Sequence, residues 1–205
     1  MKKTPFKALL LILAVKGLTS CYSTSIVSEN NYIPERPYSS ILILSIQTKE
    51  EIKEFNEDFY NRNVKDVFSH IRELDFRKNL ESAFQQSLKV NENFPMVERS
   101  TNLFKPFKDY DFNSFLKKYN EMGGTALLVV NRKDAWQTRR LSSEYGEYHI
   151  PNYLYFCYLI DKDDLSRIVW SGKVIAKGAP FDYEFLNSYV SGKITRDLRK
   201  NKYVY

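Results

Sequence analysis

Ile41-Leu42-Ile43-Leu44-Ser45-Ile46 is a nearly continuous run of apolar, largely β-branched residues. Such a run suits a strand covered on both faces, as in a parallel sheet, rather than one with a wet side. A second run of the same kind, Ala126-Leu127-Leu128-Val129-Val130, is the best candidate for a central strand. Between them lie segments with helical spacing. Ile52, Phe55 and Phe59, then Val64, Val67, Phe68 and Ile71, recur at that interval, with Thr48 and Glu51 as a capping-box pair and Asn61-Arg62-Asn63 as a break. Phe76, Leu80, Ala83, Phe84 and Leu88 make one apolar stripe, with Asp75 as its cap. Phe94-Pro95-Met96-Val97-Glu98 reads as a short strand with proline at its start. Phe112, Phe115, Leu116, Tyr119 and Met122 mark a helix that Gly123-Gly124 ends.

Beyond the second run the pattern changes. Tyr153–Ile160 and Arg167–Ala176 are strand-like, joined by the charged turn Asp161-Lys162-Asp163-Asp164. A last helix begins near Phe181, with Phe185, Leu186, Tyr189, Val190, Ile194 and Leu198 on one face and the end of the chain fraying after it. Alternating strands and helices predict right-handed parallel crossovers, and the late hairpin adds antiparallel strands. The expected fold is α/β, a single mixed sheet with helices on both faces.

Upstream of this domain, Lys2 and Lys3, the apolar run Ala8–Val15 and Leu18-Thr19-Ser20-Cys21 follow the order of a secretory signal. The apolar run is shorter than the roughly 20 residues that a membrane span requires. The alternative is an ordinary cleaved signal, or an N-terminal strand, with Cys21 incidental. The signal reading divides the chain into residues 1–20 as signal peptide, 21–40 as Cys21 with a flexible tether, and 41–205 as one domain. Tyr22–Ser40, rich in Ser, Asn and Pro, carries no strand or helix period, and as a tether it has a typical reach on the order of 25 Å.

The full chain of 205 residues has a formal net charge of +6, but Met1–Ser20 holds four lysines and no acid, so the remainder carries only +2. A nucleic-acid binder keeps a concentrated basic excess, so that class is not expected. The two cysteines are Cys21 and Cys157. An intramolecular disulfide between them is not expected, and Cys157, among Tyr155, Phe156 and Tyr158, reads as an inert core thiol.

Cys21 directly after Leu-Thr-Ser resembles the lipobox of bacterial lipoproteins, in which the thiol takes a diacylglyceryl group and the new amino group is usually acylated. With the first strand of Ile41–Gln47, the helix and short strand of Asp75–Val97, and a hairpin of Tyr158-Leu159-Ile160-Asp161 and Arg167-Ile168-Val169-Trp170-Ser171-Gly172, the chain resembles a superfamily of envelope lipoproteins. These share a domain similar to the N-terminal domain of the translocation protein TolB. They include the curli secretion lipoprotein and the outer-membrane activators of penicillin-binding proteins. Glu51–Glu73 looks like an insertion in that pattern. The resemblance implies binding, scaffolding or assembly rather than catalysis. Tyr22, where an Asp would favour inner-membrane retention, implies the outer membrane, periplasmic face. A pore of the curli type is not expected, because Asn131–Tyr153 lacks two alternating apolar strands of about ten residues.

No phosphate loop, HExxH or paired CxxC occurs, so no catalytic residue, metal or cofactor is assigned. His70 reads as a core-edge residue. His149 near Ser142 and Ser143 would serve a small envelope hydrolase only beside a cleft at the strand ends. The segment Asn131–Pro151 is too polar for a core, yet holds Trp136, Arg139, Arg140, Tyr145 and Tyr148. That is the composition of protein interfaces and sugar-stacking surfaces. The competing reading is an irregular excursion in which Trp136 covers the sheet edge. Trp170 reads as core, and Lys200–Tyr205 as a frayed end or a patch for anionic headgroups. The partners expected are a membrane, through lipid on Cys21, and an envelope protein or a glycan, with a homo-oligomer as a further possibility.

Overall fold

The computed structural model describes residues 23–69, 73–89, 96–143, 146–178 and 183–205. Cys21, His70, Phe94, Pro95 and Tyr145 lie outside these residues. One six-stranded sheet runs through the domain. Its strands are β1 (Ser23–Asn30), β2 (Ser40–Ile46), β3 (Met96–Arg99), β4 (Ala126–Ser142), β5 (Gly146–Asp161) and β6 (Ile168–Lys177), in the spatial order β1-β6-β5-β4-β2-β3. The helices are α1 (Glu57–Asn63), α2 (Leu74–Leu88), the short α3 (Ser100–Leu103), α4 (Phe112–Glu121) and α5 (Tyr183–Lys200). β2 is parallel to β3 and β4, and the remaining pairings are antiparallel. The sheet is mixed, as the element order predicts.

The two apolar runs are neighbours, with Ile41 opposite Ala126 and Leu44 opposite Val129. Every residue of β2 is buried, because both faces are covered. Alternate residues of β2, β4, β5 and β6, such as Ile43, Leu128, Cys157 and Val174, pack under α2 and α5. The intervening ones, such as Leu42, Leu127 and Tyr158, pack under Ile52, Phe55, Phe59, Tyr60 and the α4 residues Phe115 and Tyr119. The apparent insertion Glu51–Glu73 thus supplies much of the second core. α4 is capped by Asp111, whose carboxylate accepts from the Ser114 N–H at 2.6 Å. It ends at Gly123, in the left-handed region at φ 70°.

Several local expectations give way. Ser23–Asn30 is no tether. It pairs along its whole length with β6, and Ile26 packs onto the first core. An edge strand with one inward apolar residue has too weak an alternation to read, so its partner decides it. Thr48 and Glu51 cap nothing. The Thr48 hydroxyl donates to Asn63 Oδ1 at 2.6 Å, Glu51 takes the Lys133 ammonium at 2.6 Å, and α1 starts later, capped by Asn56. α2 begins at Leu74 without a side-chain cap, and Asp75 sits in its first turn. On α5, Phe185 (61 % exposed) and Tyr189 (41 %) face outward while Leu186, Val190, Ile194 and Leu198 are buried. The chain end does not fray. Tyr203 is fully buried, its carbonyl accepts from Tyr38 N–H at 2.8 Å, and its hydroxyl donates to Val169 O at 3.0 Å.

Candidate functional site

Asn131–Pro151 is a regular hairpin, not an irregular excursion. β4 and β5 stay paired from Ala126–Asp161 to Ser142–Gly146, six pairs beyond the row that joins Trp136 to Asn152. At about 3.4 Å per residue those pairs project roughly 20 Å past that row. The ladder is interrupted once, between Arg132 and Asp134, where Lys133 bulges out to meet Glu51. At its root the hairpin is fixed by Asn152, which is fully buried. The Asn152 side-chain amide donates to Thr138 Oγ1 and Ile150 O, both at 2.9 Å. No sequence signal singles out this asparagine, since its role comes from the strand opposite.

Alternation then sorts the expected site residues. Trp136, Thr138 and Arg140 share one face with Tyr148, Ile150 and Leu154, and Arg140 stands directly opposite Tyr148. Arg139 lies on the other face, ion-paired with Glu147. The structure therefore unites Trp136, Arg140 and Tyr148 and separates Arg139 from them.

The face that carries Trp136 continues across the sheet onto Leu154 and Phe156 of β5, Lys173 and Ile175 of β6, and Val27 of β1. The second core, under α1 and α4, covers this side over β2, β4, the Phe156–Ile160 end of β5 and the start of β6 at Ile168. Val27 is 70 % exposed and Trp136 40 %. The Lys133 and Lys173 ammonium groups stand 4.5 and 5.7 Å from the centroid of the Phe156 ring. Aromatic and aliphatic side chains ringed by lysines on an uncovered sheet face form a surface suited to macromolecular contact. Sequence reasoning missed Val27, Leu154, Phe156 and Ile175. Only the strand order brings them beside Trp136.

Among the described residues, no catalytic grouping is assembled around the sequence candidates. A cleft of about 580 Å³ does lie at the carboxyl end of β2, lined by residues that include Gln47, Thr48, Arg62, Glu73 and Arg77. Its charges largely answer one another, Arg62 with Glu50 at 3.5 Å and Arg132 with Glu73 at 2.8 Å. His149 is absent from that cleft. It stands on the hairpin, half exposed, with Glu147 Oε1 at 3.5 Å. The serine–histidine pairing that a hydrolase needs is therefore not formed among the described residues. Burial pushes the Cys157 thiol far above its ordinary range. No group of three or more metal-ligating side chains occurs among the described residues, nor does a helix long and apolar enough to cross a membrane. The hairpin strands do alternate, but each face mixes charged with apolar residues, so neither forms a lipid-facing band.

No family model and no curated protein matches the chain. Among solved structures, a PelC dodecamer from Paraburkholderia phytofirmans is similar at 11 % identity, covering 88 % of this chain and 98 % of that one, with a TM-score of 0.48. Lipoprotein GNA1162 from Neisseria meningitidis is similar at 12 % identity over 78 % of this chain and 99 % of that one, with a TM-score of 0.39. A minor lipoprotein from Acinetobacter baumannii is similar at 10 % identity over 80 % and 94 %, with a TM-score of 0.36. Each is a distant likeness.

Proposed function

We propose that this chain is a lipid-anchored, non-enzymatic accessory of the bacterial outer membrane, facing the periplasm, that binds a protein partner through its open sheet face. The observation that carries the reading is that face itself. Val27, Ile175, Leu154 and Trp136 lie on one face, diagonally adjacent across three antiparallel pairings, with none of the described helices packed over them, and Phe156 stands at the border of the second core. An apolar strip left partly solvated, with Val27 and Trp136 exposed at its two ends, is characteristic of interaction sites. The anchoring half rests on Leu18-Thr19-Ser20-Cys21. Two or three acyl chains hold a domain on a membrane stably, and confinement raises the effective concentration of a partner there.

Photo-crosslinking amino acids placed at Val27 and Lys173, with Lys105 as the control position, test the contact in living cells. One envelope protein joined from Val27 and Lys173 and not from Lys105 is the expected outcome. Adducts solely between copies of this chain replace the accessory reading with self-assembly. Absence of adducts at Val27 and Lys173 overturns partner binding through this face.

A further inference from the structure

We propose that the outer half of the β4–β5 hairpin is a strut that rests in the phospholipid headgroup layer and fixes the domain's orientation on the membrane. This rests on the reading of Cys21 as the attachment point. The argument comes from register. β1 enters the sheet on the row Ser23–Lys177–Asn152–Trp136, and the hairpin leaves the sheet from that same row. Cys21 precedes Ser23 by two residues, so it can lie no more than about 7 Å from it. The hairpin extends roughly 20 Å beyond the row. Sheet twist of about 20–25° per strand, accumulated over the three steps from β1 to β4, leans it over by some 60–75° and shortens the projection to roughly 5–10 Å. An anchor with so short a leash brings the hairpin against the bilayer. It cannot hold the domain clear of it.

The side chains suit that contact. Leu141, one pair from the end of the ladder, is 78 % exposed, and Arg140 beside it has no ion-pair partner among the described residues. The same end of the domain carries the outward-facing Phe185 and Tyr189 on the first turns of α5. α5 is brought there by Gly178, whose N–H donates to Pro151 O at 2.8 Å and which packs next to Leu186. Exposed aromatic and aliphatic groups with cationic neighbours are what the interfacial layer accepts, and Arg140 complements anionic headgroups. The open sheet face then stands up from the membrane, accessible from the side.

The test supplies the anchor chemically, so that it does not depend on lipidation in the cell. The chain from Cys21 onward keeps every residue of both cores, and Cys157 is fully buried, so Cys21 is the thiol available for coupling to a maleimide-headgroup lipid. Vesicles contain phosphatidylcholine, phosphatidylglycerol and a lipid brominated high on its acyl chains. The probe is Leu141→Trp in a Trp136→Phe background, leaving the buried Trp170 as a constant reference. The added tryptophan is expected to lose roughly half its emission to the bromines, the response of an indole held at the interface. Arg140→Glu is expected to reduce that loss. Emission of the added tryptophan that is the same in brominated as in unbrominated vesicles, in protein whose circular dichroism is unchanged, overturns the strut. Mass measurement of the N-terminal peptide from cells tests lipidation separately. An unmodified Cys21 would sink the anchoring reading and leave the vesicle result standing on its own.

Discussion

Ser45 gives both its backbone N–H and its hydroxyl to one carboxylate oxygen of Glu81, at 3.0 and 2.7 Å, in the buried seam between β2 and α2. Ser100 donates to the same oxygen at 2.6 Å, the Thr101 N–H meets the other at 2.9 Å, and the Arg77 guanidinium lies 3.8 Å away. Glu81 is fully buried and Arg77 nearly so. The carboxylate locks the helix register against β2, a strand with neighbours on both faces and both edges.

Replacing Glu81 with Ala strands several donors and an uncompensated guanidinium in the core. The expected cost is about 3–5 kcal/mol, read as a lower urea midpoint. Glu81→Leu, which fills the volume but leaves Ser45, Ser100 and Arg77 unanswered, is expected to be destabilised as well. Either Glu81 variant proving as stable as the parent contradicts the bracing role.

Gly172 sits under the Trp170 ring. A Cβ at this position would lie 2.5 Å from Trp170 Cη2 and 2.7 Å from Cζ2. The indole cannot swing away without breaking its bond from Nε1 to Asp197 at 2.9 Å. Gly172→Ala is therefore expected to destabilise by about 1–3 kcal/mol, with near-ultraviolet circular dichroism of the buried Trp170 altered.

Asp111 has its carboxyl held below the ordinary value by the Ser114 backbone N–H first, and by the Ser114 side chain next. A depressed folded-state pKa stabilises above the unfolded value and loses that contribution as pH falls through the folded one. Urea midpoints are accordingly expected to decline as the pH drops below 3.8. Asp111→Asn keeps a capping oxygen but no charge, so its decline should be shallower.

Cys157 is fully buried, and its burial disfavours the thiolate that thiol reagents require. With Cys21 replaced by Ala, the folded protein should resist a thiol reagent and react in a single step on denaturation. Fast native labelling would show that the first core opens readily.

Much of the fold was legible before any coordinate. Ile41–Ile46 and Ala126–Val130 announce themselves because strands covered on both faces admit nothing but apolar residues, and α2 and α4 because their stripes have a 3.6-residue period. Trp136, Arg140 and Tyr148 were recognisable as surface residues from their polar surroundings. β1 was not legible, because Ser-Thr-Ser-Ile-Val-Ser-Glu-Asn has no strong period, and its hydrogen bonds come from β6, some 140 residues away. The hairpin was hidden for a related reason: a ladder in water needs no apolar face to stay paired when a buried Asn152 and a continuous core hold its root.

The sequence by itself determined the class of the fold, its central strands, its two layers of helix and the exposed character of Asn131–Pro151. All of these follow from local composition and spacing. Strand order was decided only by tertiary structure, since an edge partner is chosen by long-range pairing that leaves no local mark. That order lays Val27, Ile175, Leu154 and Trp136 side by side, and starts β1 on the very row from which the hairpin departs.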